Sequence, residues 1–241
     1  MMKKNIRNMD VNYIQYGSEN GKELVLLHGW GQNIQMMMPL GDNLPNYHIT
    51  ILDFPGFGES SEPNTSLTIY DYVEILEELL ESLNIRKPIM MGHSFGGRVA
   101  ILYASRNSVE KLVLFGAPCV RHERKSLKEN VLKSVKKLPG MNKIGEYAKK
   151  YIGSADYRNA SPIMRETLVN VINEDLSKYA KKIQCPTLLV WGTNDTEAPI
   201  EEAKELEAIL VDGGLVELPG LSHYAYLEAL PQVINILNNF L

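Results

Sequence analysis

The chain has 241 residues, a hydrophobic fraction of 44% and a net charge of −4, which together fit one globular domain with a sizeable core. No apolar stretch approaches the roughly 20 residues that a membrane helix needs, and the first residues lack the apolar centre of a signal peptide. We therefore predict a cytoplasmic protein whose partners include neither a membrane nor a nucleic acid. Its two cysteines, Cys119 and Cys185, lack metal-type spacing, so we predict free thiols, no metal and no other cofactor.

Seven short apolar runs bounded by turn residues predict strands. They are VNYIQYG (11–17), LVLLHG (24–29), ITILDFPG (49–56), PIMMGH (88–93), KLVLFGAP (111–118), TLLVWG (187–192) and LVELPG (215–220). Several of these runs are too apolar to leave one face in water. This is typical of central strands in a parallel sheet that is covered by helices on both faces.

Helical patterns lie between these runs, and the clearest covers residues 68–84. Thr68 with Asp71 resembles a capping box at its start. One apolar stripe runs along it, formed by Ile69, Val73, Leu76, Leu80 and Leu83. Because strands alternate with helices, we predict the α/β class with a doubly wound, mostly parallel sheet.

The alternation breaks once, after Ala117. About 70 residues separate this position from Thr187, whereas a single crossover needs about a dozen to thirty. The intervening segment contains amphipathic patterns such as KSLKENVLKSVKKL and SPIMRETLVNVI. We predict that residues 118–183 form an inserted helical cap, and that residues 1–117 and 184–241 form the core domain.

The basic residues are concentrated in this predicted cap. Residues 118–183 carry 15 Lys and Arg against 7 Asp and Glu, a net charge of +8, and the remainder carries 10 against 22, a net charge of −12. A solvated face on a set of helices explains such a bias, and so does an anionic substrate or an acidic carrier as partner. The residues concerned include Arg121, Arg124, Lys125, Lys128, Lys133, Lys136 and Lys137.

The hexapeptide GHSFGG at 92–97 follows the apolar run IMM. One interpretation is an ordinary turn, and the other is a nucleophile elbow, in which small neighbours allow a strained turn to expose the oxygen of Ser94. The second interpretation requires an acid and a histidine further along the chain. Asp195 in WGTND and His223 in GLSH follow in the order Ser, Asp, His. His28, Asp53, Ser94 and Asp195 all stand at predicted carboxyl ends of strands, where open parallel sheets bind ligands.

Five motifs carry a family resemblance along the whole chain: HGWG (28–31), DFPGFGES (53–60), GHSFGG (92–97), WGTND (191–195) and GLSH (220–223). With them the chain resembles the α/β-hydrolase-fold superfamily. Within it, LVLLHGWG, DFPGFG and LFGAPC are similar to the carboxylesterases that hydrolyse a pimeloyl ester in biotin synthesis. HSFGGRVA is also similar to the pyruvate-eliminating lyase of menaquinone synthesis, in which Tyr usually stands in place of His93.

Ester cleavage defines the roles of these residues. A neutral serine hydroxyl is a poor nucleophile, so a base must take its proton and return it to the leaving group. We predict Ser94 as nucleophile, His223 as base and Asp195 as the acid that orients the imidazole, with Glu197 as a nearby alternative acid.

The resemblance also implies an oxyanion hole made of the backbone N–H groups of Trp30 and Phe95. We expect the side chains of Trp30 and His28 at the substrate-binding site, with His28 bracing the oxyanion loop rather than transferring protons. For Asp53 we prefer a packing role beside the site to a catalytic one.

Three function classes remain open. The leading one is a serine hydrolase that cleaves a carboxylic ester or thioester of small-molecule size through an acyl-enzyme. The second is a lyase of the menaquinone-synthesis type, which would use Ser94 and His223 for proton abstraction. The third is a non-enzymatic ligand receptor on the same scaffold, since a fold alone does not fix a function.

Overall fold

The computed structural model describes residues 1–120 and 160–241. In these ranges the chain forms one eight-stranded sheet. Its strands are β1 (Met2–Ile6), β2 (Met9–Gly17), β3 (Glu23–Leu27), β4 (His48–Leu52), β5 (Ile89–His93), β6 (Lys111–Phe115), β7 (Thr187–Gly192) and β8 (Gly213–Leu218). The strand order is β1-β2-β4-β3-β5-β6-β7-β8. β1 pairs antiparallel with β2, and β2 pairs antiparallel with β4. The other five pairs, which join β4, β3, β5, β6, β7 and β8 in this order, are parallel. This confirms the predicted doubly wound, mostly parallel sheet.

Helices cover both faces of the sheet. They are α1 (Ile34–Asp42), α2 (Ile69–Ser82), α3 (Phe95–Ala104), α4 (Pro162–Ile172), α5 (Ser177–Ala180), α6 (Ile200–Ile209), α7 (Ala225–Glu228) and α8 (Leu230–Phe240). Successive strand residues point to opposite faces, so Val25 and Leu27 enter the core beneath α2 and α3, while Leu24 and Leu26 enter the core beneath α1 and α8. The sheet is therefore buried on both sides, as its apolar strands require.

The capping box at the start of α2 is confirmed. The amide of Asp71 donates to Oγ1 of Thr68 at 3.3 Å, and the amide of Thr68 donates to Oδ2 of Asp71 at 2.7 Å. The buried face of α2 is wider than the predicted stripe, because Tyr72, Ile75 and Leu79 are also buried between the sheet and neighbouring helices. Leu83 lies one residue beyond the helix as its C-cap.

The sequence pattern missed β1. This strand carries two lysines and an asparagine and pairs only with β2 at the edge of the sheet, so it lacks the apolar run that marked the other strands. Arg7 and Asn8 join the two strands with φ values of 50° and 63°. Positive φ at both central residues is typical of a two-residue hairpin turn that matches the twist of the strands.

The insertion between β6 and β7 is described only from residue 160 onward. The predicted helix at 161–172 is present as α4, whose N-cap Ser161 accepts a hydrogen bond from the amide of Met164. The predicted helix at 125–138 and the basic residues from Arg121 to Lys137 lie outside the described residues. The division into a core and a cap stays a prediction.

Within the described ranges, none of the helices combines the length and the apolar character that crossing a membrane requires.

Candidate active site

Ser94 lies between the end of β5 and the first residue of α3, and it has a φ of 49° and a ψ of −112°. A residue other than glycine rarely adopts positive φ, and such strain is found preferentially at functional sites. The glycines around it allow the sharp turn, because a Cβ on Gly92 would lie 2.6 Å from the carbonyl oxygen of Gly96. The conformation fits the predicted nucleophile elbow, in which the turn exposes the serine oxygen.

Asp195 and His223 form a buried pair beyond the carboxyl end of β7. Nδ1 of His223 lies 2.7 Å from Oδ2 of Asp195, and the two side chains are 7% and 1% exposed. Oδ1 of Asp195 accepts from the amides of Glu197 and Ala198, both at 2.8 Å. The carboxylate thus holds its own turn with one oxygen and the imidazole with the other. It favours a proton on Nδ1, which leaves Nε2 of His223 as an acceptor.

The His223 ring is held next to the elbow. The amide of Ser94 donates to the carbonyl of Phe115 at 2.8 Å, and the next residue, Gly116, is so close to the imidazole that a Cβ there would lie 2.9 Å from Nδ1 of His223. The ring of His93 lies 4.7 Å from that of His223. Among the described residues, no hydrogen bond joins the Ser94 hydroxyl to His223, and such bonds are often long before substrate binds.

Trp30 and Phe95, the predicted oxyanion-hole residues, line the same cavity as Ser94. Phe95 is the first residue of α3, so its N–H has no partner inside the helix, and the helix dipole favours negative charge there. Trp30 follows β3 in the loop at 28–32, and its indole packs edge-on against Phe95 and Phe57 at centroid distances of 5.5 and 4.8 Å. In the part of the chain that the structure describes, neither amide donates to a protein acceptor.

His28 is fully buried beneath this loop. Its Nδ1 donates to the carbonyl of Gly29 at 2.7 Å, and its Nε2 accepts from the amide of Phe54 at 3.0 Å. Burial lowers the pKa of His28 to about 4, so the ring is neutral at ordinary pH. Both ring nitrogens are engaged by backbone groups, which fits the predicted brace, and a role of His28 in substrate binding stays a prediction.

Asp53 is a packing residue of the glycine-rich loop. Its Oδ1 accepts from the amide of Ile34 at 2.7 Å, and its Oδ2 accepts from the side chain of Asn12 at 2.8 Å and the amide of Glu59 at 2.9 Å. A carboxylate with three such donors is a satisfied structural group. It joins β2, the start of α1 and the loop at 53–60.

The alternative acid Glu197 and two further histidines, His48 and His122, complete the set of candidate groups. Glu197 contributes its backbone amide to Asp195, and His223 bonds to Asp195. His48 lies at the amino end of β4, where Nδ1 is 3.1 Å from Oε1 of Glu23. His122 lies outside the described residues. In the ranges covered by the structure, no cluster of three His, Cys, Asp or Glu residues that could hold a metal occurs.

A narrow and mostly apolar cavity opens at Ser94. It is lined by Trp30, Ser94, Phe95, Arg98, Pro118, Leu168, Val171 and Ile172. The sequence patterns did not single out the contributions of α4 or Arg98. The buried Arg98 guanidinium donates to the carbonyls of Pro118 at 2.7 Å, Val171 at 3.0 Å and Glu174 at 2.5 Å. It therefore ties α4 to α3 and helps to form the cavity wall.

A larger cavity of about 530 Å³ lies at the other end of the strands, on the side of their amino ends. Its lining includes Lys87, Arg106, Lys182 and Cys185, which belong to segments around the amino ends of β5, β6 and β7. It contains neither the strained serine nor the buried imidazole and carboxylate pair. The smaller cavity at Ser94 is therefore the candidate active site.

A family model described as the alpha/beta hydrolase fold matches residues 22–144, which is just over half of the chain. The chain belongs to the alpha/beta hydrolase fold family. Lipase 3 of Moraxella sp. is 25% identical over 251 residues, which cover 92% of this chain and 78% of the relative. The pimeloyl-[acyl-carrier protein] methyl ester esterase of Shewanella woodyi is 29% identical over 206 residues, which cover 74% and 78% of the two chains.

The comparison with solved structures covers nearly the whole chain. The enol-lactonase from Burkholderia xenovorans LB400 superposes with a TM-score of 0.79 at 21% identity and covers 99% of both chains. The esterase from Exiguobacterium antarcticum gives a TM-score of 0.79 at 20% identity, with 96% of this chain covered and 95% of that chain. The family match, together with the lipase and the methyl ester esterase found among the sequence relatives, identifies the chain as a hydrolase-type enzyme.

Proposed function

We propose that this protein is a serine hydrolase that cleaves a carboxylic ester or thioester through an acyl-enzyme on Ser94. The observation that carries the proposal is the buried 2.7 Å contact between His223 and Asp195 beside the strained Ser94 elbow. The imidazole supplies a proton acceptor, the carboxylate fixes its tautomer, and the elbow exposes the hydroxyl. Relatives named as a lipase and a methyl ester esterase favour an ester as substrate.

The reaction has two halves. Nε2 of His223 takes the hydroxyl proton as Oγ of Ser94 attacks the carbonyl carbon, and the N–H groups of Trp30 and Phe95 stabilise the resulting oxyanion. The tetrahedral intermediate collapses when His223 returns the proton to the leaving alcohol or thiol, so an acyl-serine remains. Water then attacks the acyl carbon with His223 as base, which releases the acid and restores Ser94.

The acyl group is proposed to occupy the cavity formed by Trp30, Pro118, Leu168, Val171 and Ile172. Its mostly apolar lining favours an acyl chain without charge next to the reacting carbonyl, because an unpaired charge there would be desolvated. An anionic group at the far end of the substrate, or an acidic carrier, would interact with the basic residues of the predicted cap.

The triad is tested by comparing Ser94→Ala with Ser105→Ala, because Ser105 is the C-cap residue of α3 and lies away from the cavity. A fluorophosphonate probe should label the wild type and Ser105→Ala but not Ser94→Ala, and p-nitrophenyl esters should be hydrolysed with the same pattern. Labelling that survives in Ser94→Ala would reject the serine. Absence of ester turnover by the wild type would favour the receptor, or the lyase if a pyruvyl-type intermediate is consumed.

The partner at the basic cap is tested with esters that carry a distal carboxylate and their neutral analogues. Attraction to a positive surface should raise kcat/KM of the charged ester at low salt, and this advantage should shrink as salt rises. Charge reversal of Lys133, Lys136 and Lys137 to Glu should remove the advantage and leave the neutral ester unaffected. Equal kcat/KM values for both esters at low salt would assign the basic residues to solvation alone.

A further inference from the structure

We propose that His93 is a positioning residue of the proposed reaction, because it binds the backbone of the base His223 and so fixes where the catalytic imidazole stands. The inference rests on the proposed hydrolase function. The mechanism above gives this histidine no role, although it immediately precedes Ser94 and its side chain is fully buried.

The first support is the contact between His93 and the base. Nε2 of His93 lies 3.0 Å from the carbonyl oxygen of His223, and the two rings are 4.7 Å apart with an interplanar angle of 53°. The ring of His93 also packs against Tyr224 and Tyr226 at centroid distances of 5.3 and 4.9 Å. His93 therefore contacts both the backbone carbonyl and the ring of His223.

This contact matters because His223 lies outside regular secondary structure. Strand β8 ends at Leu218 and α7 begins at Ala225, so the base is carried by the turn between them. A hydrogen bond to the carbonyl of the base limits rotation of this turn relative to the elbow. Displacement of a reacting group by about 1 Å can cost about a hundredfold in rate.

The second nitrogen of His93 faces the oxyanion loop. Nδ1 lies 3.3 Å from Oε1 of Gln32, and that oxygen accepts from the amide of Gly29 at 3.0 Å. Gly29 immediately precedes Trp30, whose N–H is a proposed oxyanion donor. His93 thus stands between the loop of the base and the loop of the oxyanion hole, directly at the nucleophile.

The tautomer of His93 follows from these contacts. Both ring nitrogens face oxygen atoms, but a neutral imidazole carries a single N–H. The shorter contact is the one to His223, so Nε2 carries the proton and donates to the carbonyl. Burial, followed by the nearby His223, lowers the pKa of His93 well below its ordinary value, and His28 acts in the same direction. The neutral ring adds no positive charge beside the imidazolium that forms on His223.

The experiment uses His93→Gln, His93→Asn and His93→Leu. A glutamine amide reaches about as far as Nε2 of histidine and restores a donor to His223, whereas an asparagine amide reaches only about as far as Nδ1. We expect His93→Leu and His93→Asn to lower kcat by about ten- to a hundredfold with little change in KM, and His93→Gln to recover most of it. Ile89→Val, at the other end of β5, controls for a simple loss of stability.

The outcomes separate the two proposals. Equal kcat in Gln, Asn and Leu variants, or losses that match those of equally destabilised controls such as Ile89→Val, would overturn positioning by His93. Failure of the wild type to react with fluorophosphonate would instead overturn the serine mechanism. Nitrogen NMR of the wild-type ring provides a readout that needs no variant to fold: an Nε2–H tautomer at His93 supports the inference, and an Nδ1–H tautomer rejects it.

Discussion

Two buried pairs of histidine and aspartate lie at the same edge of the sheet, and they differ in how their polar atoms are used. In the first pair, Nδ1 of His223 contacts Asp195, and Nε2 has no protein partner among the described residues. In the second region, both nitrogens of His28 and both oxygens of Asp53 are engaged by backbone or side-chain groups. The two pairs contain the same residue types, and all four residues lie beyond the carboxyl ends of strands.

A reactive site differs from a structural one in keeping polar atoms that no other protein group binds after folding. The polar atoms of His28 and Asp53 form hydrogen bonds that hold loops together, as buried polar groups normally do. Nε2 of His223 stays available as a proton acceptor, because Asp195 binds Nδ1. We therefore expect variants of His223 and Asp195 to lower the rate of reaction, and variants of His28 and Asp53 to lower the free energy of unfolding.

The largest expected effect is on catalysis in the first pair. His223→Ala and Ser94→Ala should each lower kcat by about a millionfold, and the double variant should be no worse, because members of one triad act as a unit. His48→Ala, at the opposite edge of the sheet, is the control and should retain activity. The measurement is kcat for a p-nitrophenyl ester, and additive losses in the double variant would contradict a shared mechanism.

Asp195→Asn should have the next largest effect. It removes the carboxylate that holds the Nδ1–H tautomer of His223, and the equivalent change in a serine protease costs about ten-thousandfold in kcat. Glu197→Gln is the matched control two residues away, where the backbone amide of the turn is kept. Steady-state kinetics on both variants decide the point: a large loss in Glu197→Gln with normal Asp195→Asn would move the acid to Glu197.

In the second region the main effect should be on stability and its pH dependence. The pKa of His28 is lowered to about 4 in the folded chain from an ordinary value of 6.5. Between these values the unfolded chain binds a proton that the folded chain does not, so the free energy of unfolding falls as pH decreases from 6.5 to 4. Above pH 6.5 His28 is neutral in both states, so it causes no further change in the free energy of unfolding. Between pH 6.5 and 4 the decrease due to His28 amounts to about 3 kcal/mol.

Urea unfolding at several pH values tests this prediction with His28→Asn. The variant should be less stable at pH 7. Between pH 6.5 and 4 the slope of its free energy of unfolding against pH should be smaller than that of the wild type, by the equivalent of about one bound proton. His93, whose pKa is also lowered by burial, should leave a remaining slope in the same direction. The same slope in His28→Asn as in the wild type would show that the fold does not hold the wild-type His28 imidazole neutral.

The smallest expected effect is at Asp53. Asp53→Asn keeps the size of the side chain but turns an amide toward backbone N–H groups, so the free energy of unfolding should fall by about 1–3 kcal/mol. Activity per folded molecule should change little, since Asp53 does not contact the reacting atoms. Asp10→Asn, at an exposed site, controls for the change of charge. A selective fall in kcat without loss of stability would contradict the packing role.

Much of the fold could be predicted from the sequence because its signals are local. The apolar runs from β2 to β8, the stripe and capping box of α2 and the order of the motifs all depend on residues close together in the chain. The exception among the strands was β1, whose partner rather than its composition makes it a strand. The helix at 161–172 was predicted from its amphipathic pattern, but its place over the cavity was not.

The sheet class, the strained turn expected at Ser94 and the order of Ser94, Asp195 and His223 could be predicted from the sequence, because they depend on local propensity and spacing. Only the packing of distant segments shows which histidine keeps a nitrogen without a protein partner among the described residues, that Asp53 accepts from several donors, and that Arg98 ties α4 to α3. It also placed His93 against the carbonyl of His223, 130 residues away. Such contacts arise from the packing of distant segments, and no local pattern encodes which polar atoms remain available after every neighbour has been satisfied.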